Sequence, residues 1–121
     1  MSLDRHIDLA YKVAALSECS MQHGAVIVRG GNILSIACNR RVTHPVSKGW
    51  AKDPKQITTI HAEQRALILC KAPTHNATLI SVRLNGDKRS RACRMCRALC
   101  YDAGIHTIVY FDGTSFVKER L

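Results

Sequence analysis

The sequence predicts an α/β fold in which a mixed sheet opens with an antiparallel hairpin, continues with parallel strands, and carries helices packed against it. Three observations lead there. A helix-period apolar pattern starts the chain, two β-branched runs flank Gly30-Gly31, and downstream the patterns alternate helix, strand, helix, strand. That alternation implies right-handed parallel crossovers. With 121 residues the chain suffices for one core, so a single domain spanning residues 1–121 is expected.

Leu3, Ile7, Ala10, Tyr11, Ala14 and Ala15 recur at helical spacing while Asp4, Asp8 and Lys12 face away, which predicts an amphipathic helix over about residues 3–18. Residues 25–28 and 33–37 are short apolar runs. Gly30-Gly31 between them can take the positive φ angles of a tight hairpin turn. Their near-continuous apolarity predicts that both faces of this sheet are covered.

Residues 39–59 carry too many breakers for a long element (His44-Pro45, Lys48-Gly49-Trp50, Asp53-Pro54) and predict a functional loop. Thr58 or Thr59 is placed to cap a helix over about residues 60–71, which Ala72-Pro73 ends. Residues 77–82 read as a buried strand and residues 85–91 as a polar, basic loop. A helix over about residues 92–103 is stopped by Gly104. Residues 106–111 form the next strand, and Asp112-Gly113 turns into a short C-terminal piece.

Composition narrows the partners. The net charge of +9 favours anionic ones such as nucleotides, nucleic acid or an acidic surface. Aromatic content of 5% argues against an extended base-stacking platform. No apolar run approaches the roughly 20 residues that span a bilayer, so no membrane partner is expected. The charged first residues carry no secretory pattern. A cytoplasmic location is the expectation, and there the six cysteines read as thiols or metal ligands.

The chemistry concentrates in two motifs, His61-Ala62-Glu63 and Cys93-Arg-Met-Cys96. Cys93 and Cys96 are three apart on the predicted helix, hence on one face and able to grip one ion. A helix N-terminus favours the thiolate that zinc requires. One His and two Cys make a three-ligand set with an open fourth position, the pattern of a catalytic zinc site, and one carboxylate is left over. The same cysteines could form a structural zinc half-site or a redox pair. A finger would want a His pair downstream, where only His106 remains. An iron–sulfur reading through Cys100 lacks a fourth Cys close by. Cys19, Cys38, Cys70 and Cys100 read as core or near-core thiols. His6, His23, His75 and His106 have no ligand spacing and read as bystanders, with His44 the exception because of its loop.

These motifs, with Ser90-Arg-Ala-Cys93-Arg-Met-Cys96 and the order of elements, resemble the zinc-dependent cytidine/deoxycytidylate deaminase superfamily across nearly the whole chain. The resemblance implies a three-layer α-β-α fold. It implies that His61, Cys93 and Cys96 hold Zn²⁺, which lowers the pKa of its water, and that Glu63 is the proton shuttle and not a ligand. It also implies that Asn39, at the end of the second strand, contacts substrate, and that the Ala62 amide meets the base carbonyl. Ala92 departs from the family's usual Pro; altered rigidity rather than loss of zinc is expected.

Substrate is less legible. Arg89, Arg91, Arg94 and Arg97 crowd the zinc-binding turn, and Arg40, Arg41, Lys48, Lys52 and Lys55 load the loop opposite. Arg91 and His44, with Asn39 and Ala62, are the candidate substrate contacts. The segment from Tyr11 to Val28 resembles deoxycytidylate deaminases, which points to hydrolytic deamination of a cytosine base in a nucleotide or nucleoside, releasing ammonia. The alternatives are a deaminase acting on cytosine or adenine in single-stranded DNA or RNA, and a non-catalytic, zinc-stabilised nucleic-acid-binding module. Relatives commonly assemble, so a homo-oligomer, by default a dimer, is the expectation.

Overall fold

The structure is a computed structural model that describes residues 3–42 and 58–121. The amphipathic pattern at the start of the chain forms α1 (Leu3–Ala14). It ends before residue 18: Leu16 and Ser17 donate to the carbonyls of Val13 and Ala14, tightening the last turn. The Ser17 hydroxyl then leaves the helix for Asn39.

The two apolar runs form β1 (His23–Arg29) and β2 (Asn32–Cys38). Gly30 and Gly31 turn between them at φ +57° and +83°, both left-handed, as a two-residue hairpin loop requires. Two short strands follow, β3 (Arg40–Val42) and β4 (Thr58–Ile60), paired antiparallel with Arg40 opposite Ile60. Then come α2 (Ala62–Leu69), β5 (Thr78–Arg83), α3 (Arg94–Asp102), β6 (Thr107–Phe111) and β7 (Phe116–Arg120). The five-stranded sheet runs β2-β1-β5-β6-β7.

This is the expected mixed sheet, with two refinements. The parallel relation joins β5 to β6, while β5 meets the hairpin antiparallel through β1. The C-terminal piece is itself a strand, antiparallel to β6. The helix expected over residues 60–71 begins at Ala62 because the ladder to β3 claims residues 58–60 in extended form. Thr58 and Thr59 therefore belong to β4 and the cap position falls to His61, and α2 does not spring from a strand of the main sheet. The loop expectation for residues 39–59 falls mostly outside the described residues, as does its Trp50.

Strand parity sorts the core into two layers, one on each side of the sheet. Val26, Val28, Ile80, Val82 and Val109 pack against Ile7, Ala10 and Ala14 of α1. Ala25, Ile27, Leu79 and Ile108 pack against Ala62 and Ala66 of α2 and Cys100 of α3. The result is three layers, α1 over the sheet over α2 and α3. Coverage is complete for β1 and β5 but not for the edge strand β2, whose Ile33 and Ile36 are exposed. Gly24 explains how closely α1 sits on β1. A Cβ there would overlap the Ala10 carbonyl oxygen and lie 2.8 Å from the Ala14 nitrogen.

α3 ends as its sequence predicts. Gly104 takes φ +83°, its N–H donates to Tyr101, and Ile105 donates back to Cys100. Those two bonds are the Schellman pair.

Candidate metal centre and its cavity

The β3–β4 ladder delivers the chain to His61, which stands immediately before α2. Cys93 stands immediately before α3. Neither side chain caps its own helix, so each is available to a ligand. The His61 Nδ1 lies 3.4 Å from the Cys93 Sγ and 3.4 Å from the Cys96 Sγ. All three donor atoms lie within 4.8 Å of one another. Zinc bound tetrahedrally at its usual ligand distances would hold N and S about 3.5 Å apart. The donor set and its spacing therefore fit a zinc ion.

Cys96 is buried, whereas His61 and Cys93 are exposed. Burial pushes the Cys96 thiol well above its ordinary range, helped by the charge of Glu63 and by a hydrogen bond and charge from Cys93. Burial, then the charge of Glu63, pushes Cys100 one turn further on up to about 12. A buried thiol of this kind keeps its proton until a cation replaces it, so metal uptake by Cys96 is coupled to proton release.

Glu63, the second residue of α2, is 5% exposed. Its Oε1 accepts a hydrogen bond of 2.7 Å from the Ser81 hydroxyl on β5. His61, Ala62, Glu63 and Cys93 line a cavity of about 350 Å³ together with Cys19, Ser20, Met21, His23, Asn39, Thr59 and Arg91. That volume lies within the range of small-molecule sites, about 300–1,000 Å³. The first intrahelical bond of α2 runs from Arg65 N–H to the His61 carbonyl. The Ala62 amide precedes it and is one of the donors a helix start leaves for a ligand.

The remaining sequence candidates fare differently. Asn39 lines the cavity, but its side chain is engaged by protein: Oδ1 accepts from Ser17 Oγ at 2.7 Å and His23 N at 3.0 Å, and Nδ2 donates to the Met21 carbonyl at 2.7 Å. Its first job is to tie the segment after α1 to the ends of β1 and β2. Arg91 also lines the cavity, and its guanidinium grips Glu119 of β7 at 2.8 and 3.2 Å. It is therefore no free cation awaiting phosphate. His44 lies outside the described residues. Ala92 precedes the cap residue of α3 rather than starting the helix, and its carbonyl accepts from Arg97 at 2.6 Å. The three donors converge with Ala in that place.

Two residues were not singled out from sequence. His23 read as a bystander, yet it shares the strand parity of Ala25 and Ile27 and so sits on the α2 face of β1, lining the cavity. Burial lowers its imidazole from the ordinary 6.5; Arg83 and His61 act the same way, and Glu63 acts against them. Neutral imidazole offers one donor and one acceptor. Ser81 carried no motif at all. The parity that puts Leu79 on the site face was the one signal able to find it.

Comparison with known proteins agrees with this geometry. Residues 1–112 match the family model for the cytidine and deoxycytidylate deaminase zinc-binding region. Among solved structures, the dCMP deaminase of cyanophage S-TIM5 in apo form is similar at a TM-score of 0.65 and 20% identity, over 89% of this chain and 82% of that one. The same cyanophage protein in complex with dCMP and dUMP matches at 0.65 and 20%, over 89% and 81%. A cytidine deaminase from Burkholderia pseudomallei matches at 0.68 and 15%, over 99% and 93%. No match was found among curated proteins.

Proposed function

The chain belongs to the cytidine and deoxycytidylate deaminase zinc-binding family, and we propose that it hydrolytically deaminates a cytosine base carried by a nucleotide or nucleoside. The observation that carries this reading is the convergence of His61, Cys93 and Cys96 on one point, at a cavity that His61, Cys93 and the buried Glu63 line together.

His61 Nδ1, Cys93 Sγ and Cys96 Sγ would hold zinc, which supplies a Lewis acid that makes water nucleophilic near neutral pH. Glu63 takes a proton from the attacking water and returns protons to the ring nitrogen and the departing amine. Water and the amino-pyrimidine become the oxo-pyrimidine and ammonia. The Ala62 amide N–H donates to the base carbonyl, and His23 lines the same cavity as a neutral donor and acceptor. The complex of the cyanophage protein with dCMP and dUMP supports a cytosine nucleotide as the first substrate to try. A non-catalytic zinc module would have no use for a carboxylate buried beside the metal donors.

Single-domain organisation over residues 1–121, homo-oligomeric assembly with a dimer as default, and a cytoplasmic location belong to the same proposal. Sedimentation of the purified chain tests the assembly.

Ammonia release tests the activity, measured with cytosine, cytidine, deoxycytidine, CMP, dCMP, AMP and single-stranded DNA and RNA. Turnover of dCMP or CMP without need of an oligonucleotide is expected. Turnover confined to the oligonucleotides would replace this reading with the nucleic-acid one. Glu63→Ala should keep zinc and lose ammonia release.

A further inference from the structure

We infer that Ser81 is a positioning residue, the hydroxyl that aims Glu63. The inference rests on the role proposed above for Glu63, and its evidence is independent of any motif.

Ser81 occupies β5, which lies between β1 and β6 in the sheet, and its Cα partner on β1 is Ala25. Side chains alternate along β5, so Leu79 and Ser81 face α2 while Ile80 and Val82 face α1. Ser81 is 1% exposed. A hydroxyl buried in an apolar layer needs a partner for its proton, and the partner is Glu63 Oε1 at 2.7 Å. A hydroxyl has one proton to give, so this bond commits it. The carboxylate that lines the cavity is thus anchored through Oε1 to β5.

The donor is itself held still. The Ser81 carbonyl accepts from the Ser90 hydroxyl at 2.7 Å, and Ser90 Oγ accepts from the Phe111 amide at 2.9 Å. Ser90 thus ties β5 to the segment before Cys93 and to the end of β6. Glu63, by contrast, sits in the first turn of α2, a helix of eight residues, on a side chain with three torsions. Among the described residues, Ser81 is the hydrogen-bond partner that fixes them. A shift of about 1 Å in a reacting group can cost about 100-fold in rate.

The test compares Ser81→Ala, Ser81→Cys and Ser81→Thr with Glu63→Ala, using the zinc-loaded protein and the best cytosine substrate. Ser81→Ala should keep about one zinc per chain, leave KM within about twofold, and lower kcat about 10- to 100-fold. Ser81→Cys, close in size but a weak donor, should resemble Ala. Ser81→Thr, which keeps the hydroxyl, should restore most of kcat. A crystal structure of Ser81→Ala supplies a readout independent of turnover: the Glu63 carboxylate should leave its single orientation.

If Glu63→Ala is inactive while Ser81→Ala keeps wild-type kcat, Ser81 has no positioning role and the proposed function stands. An undisturbed Glu63 carboxylate in the Ser81→Ala crystal would have the same meaning, as would full activity of the Cys variant. If Glu63→Ala turns over normally, the role of Glu63 falls and this inference falls with it.

Discussion

His61 and Cys93 hold the same position on two different helices, each as the last extended residue before the first turn. Their backbones sit at φ −65°, ψ 148° and φ −64°, ψ 164°, and His61 Nδ1 meets Cys93 Sγ at 3.4 Å. Ser, Thr, Asp and Asn are the residues that usually take this place, where they bond the helix's own amides. Here both side chains turn to each other instead. Two helix starts are thereby joined through one prospective ion.

Metal content should follow from that junction. About one zinc per chain is expected, and Cys93→Ser or His61→Ala should drop it below a tenth of that by elemental analysis after gel filtration. Full zinc retention in either variant would remove the residue from the ligand set.

Stripping the metal should expose a difference among the thiols. All six cysteines are free, Cys93 is exposed, and Cys96 and Cys100 are buried. Because burial pushes the Cys100 thiol up to about 12, it carries almost no thiolate at pH 7.5. Iodoacetamide at that pH should label Cys93 quickly once zinc is chelated, slowly while zinc is bound, and leave Cys100 unlabelled throughout. Peptide mass spectrometry reads this; labelling of Cys100 at the rate of Cys93 would contradict its burial.

Gly24→Ala should cost about 1–3 kcal/mol or more in urea unfolding, the range for overpacking a tight contact. The added methyl would meet main chain of α1 at Ala10 and Ala14 rather than a side chain able to swing aside. A wild-type midpoint would mean that α1 does not sit on β1 as described.

His23 makes stability depend on pH in a definite direction. Its folded pKa lies below the ordinary 6.5, so the unfolded chain takes up the proton first as pH falls. The stabilising contribution is complete above about 6.5 and is lost as pH drops through the folded value. The unfolding free energy should therefore fall between pH 7.5 and 5.5 by less in His23→Gln than in wild type. Equal slopes would contradict the lowered pKa.

The sequence made some of this legible, for physical reasons that differ from element to element. α1, the Gly30-Gly31 hairpin and the Gly104 stop are local: each depends on periodicity or on a residue that tolerates positive φ, and each appears in place, except that α1 ends at Ala14 rather than near residue 18. The residues that cluster as candidate metal donors were legible because His-x-Glu and Cys-x-x-Cys are themselves short-range patterns. The start of α2 was misplaced because its boundary is set by a pairing between Arg40 and Ile60, which no local window contains. Likewise the loss of Arg91 as a free cation depends on Glu119, which reaches it only because β7 folds back along β6. Asn39 was legible as a cavity residue through resemblance, but its three hydrogen bonds depend on where Ser17, Met21 and His23 meet. His23 and Ser81 were missed because a lone polar residue on a strand has meaning only once the facing of that strand is known.

The Arg91–Glu119 pair has a consequence for how such a pocket can change over generations. Tyr110 also reaches Glu119, with its hydroxyl 3.4 Å from Oε1, so a cluster on the last two strands governs a cationic group at the cavity wall. A substitution at position 119 would free the guanidinium of cavity-lining Arg91 from its carboxylate partner without altering His61, Cys93, Cys96 or Glu63. The charge of one cavity-lining side chain is thus set by β7, the strand farthest from the hairpin in the sheet, and can change without any change at His61, Glu63, Cys93 or Cys96.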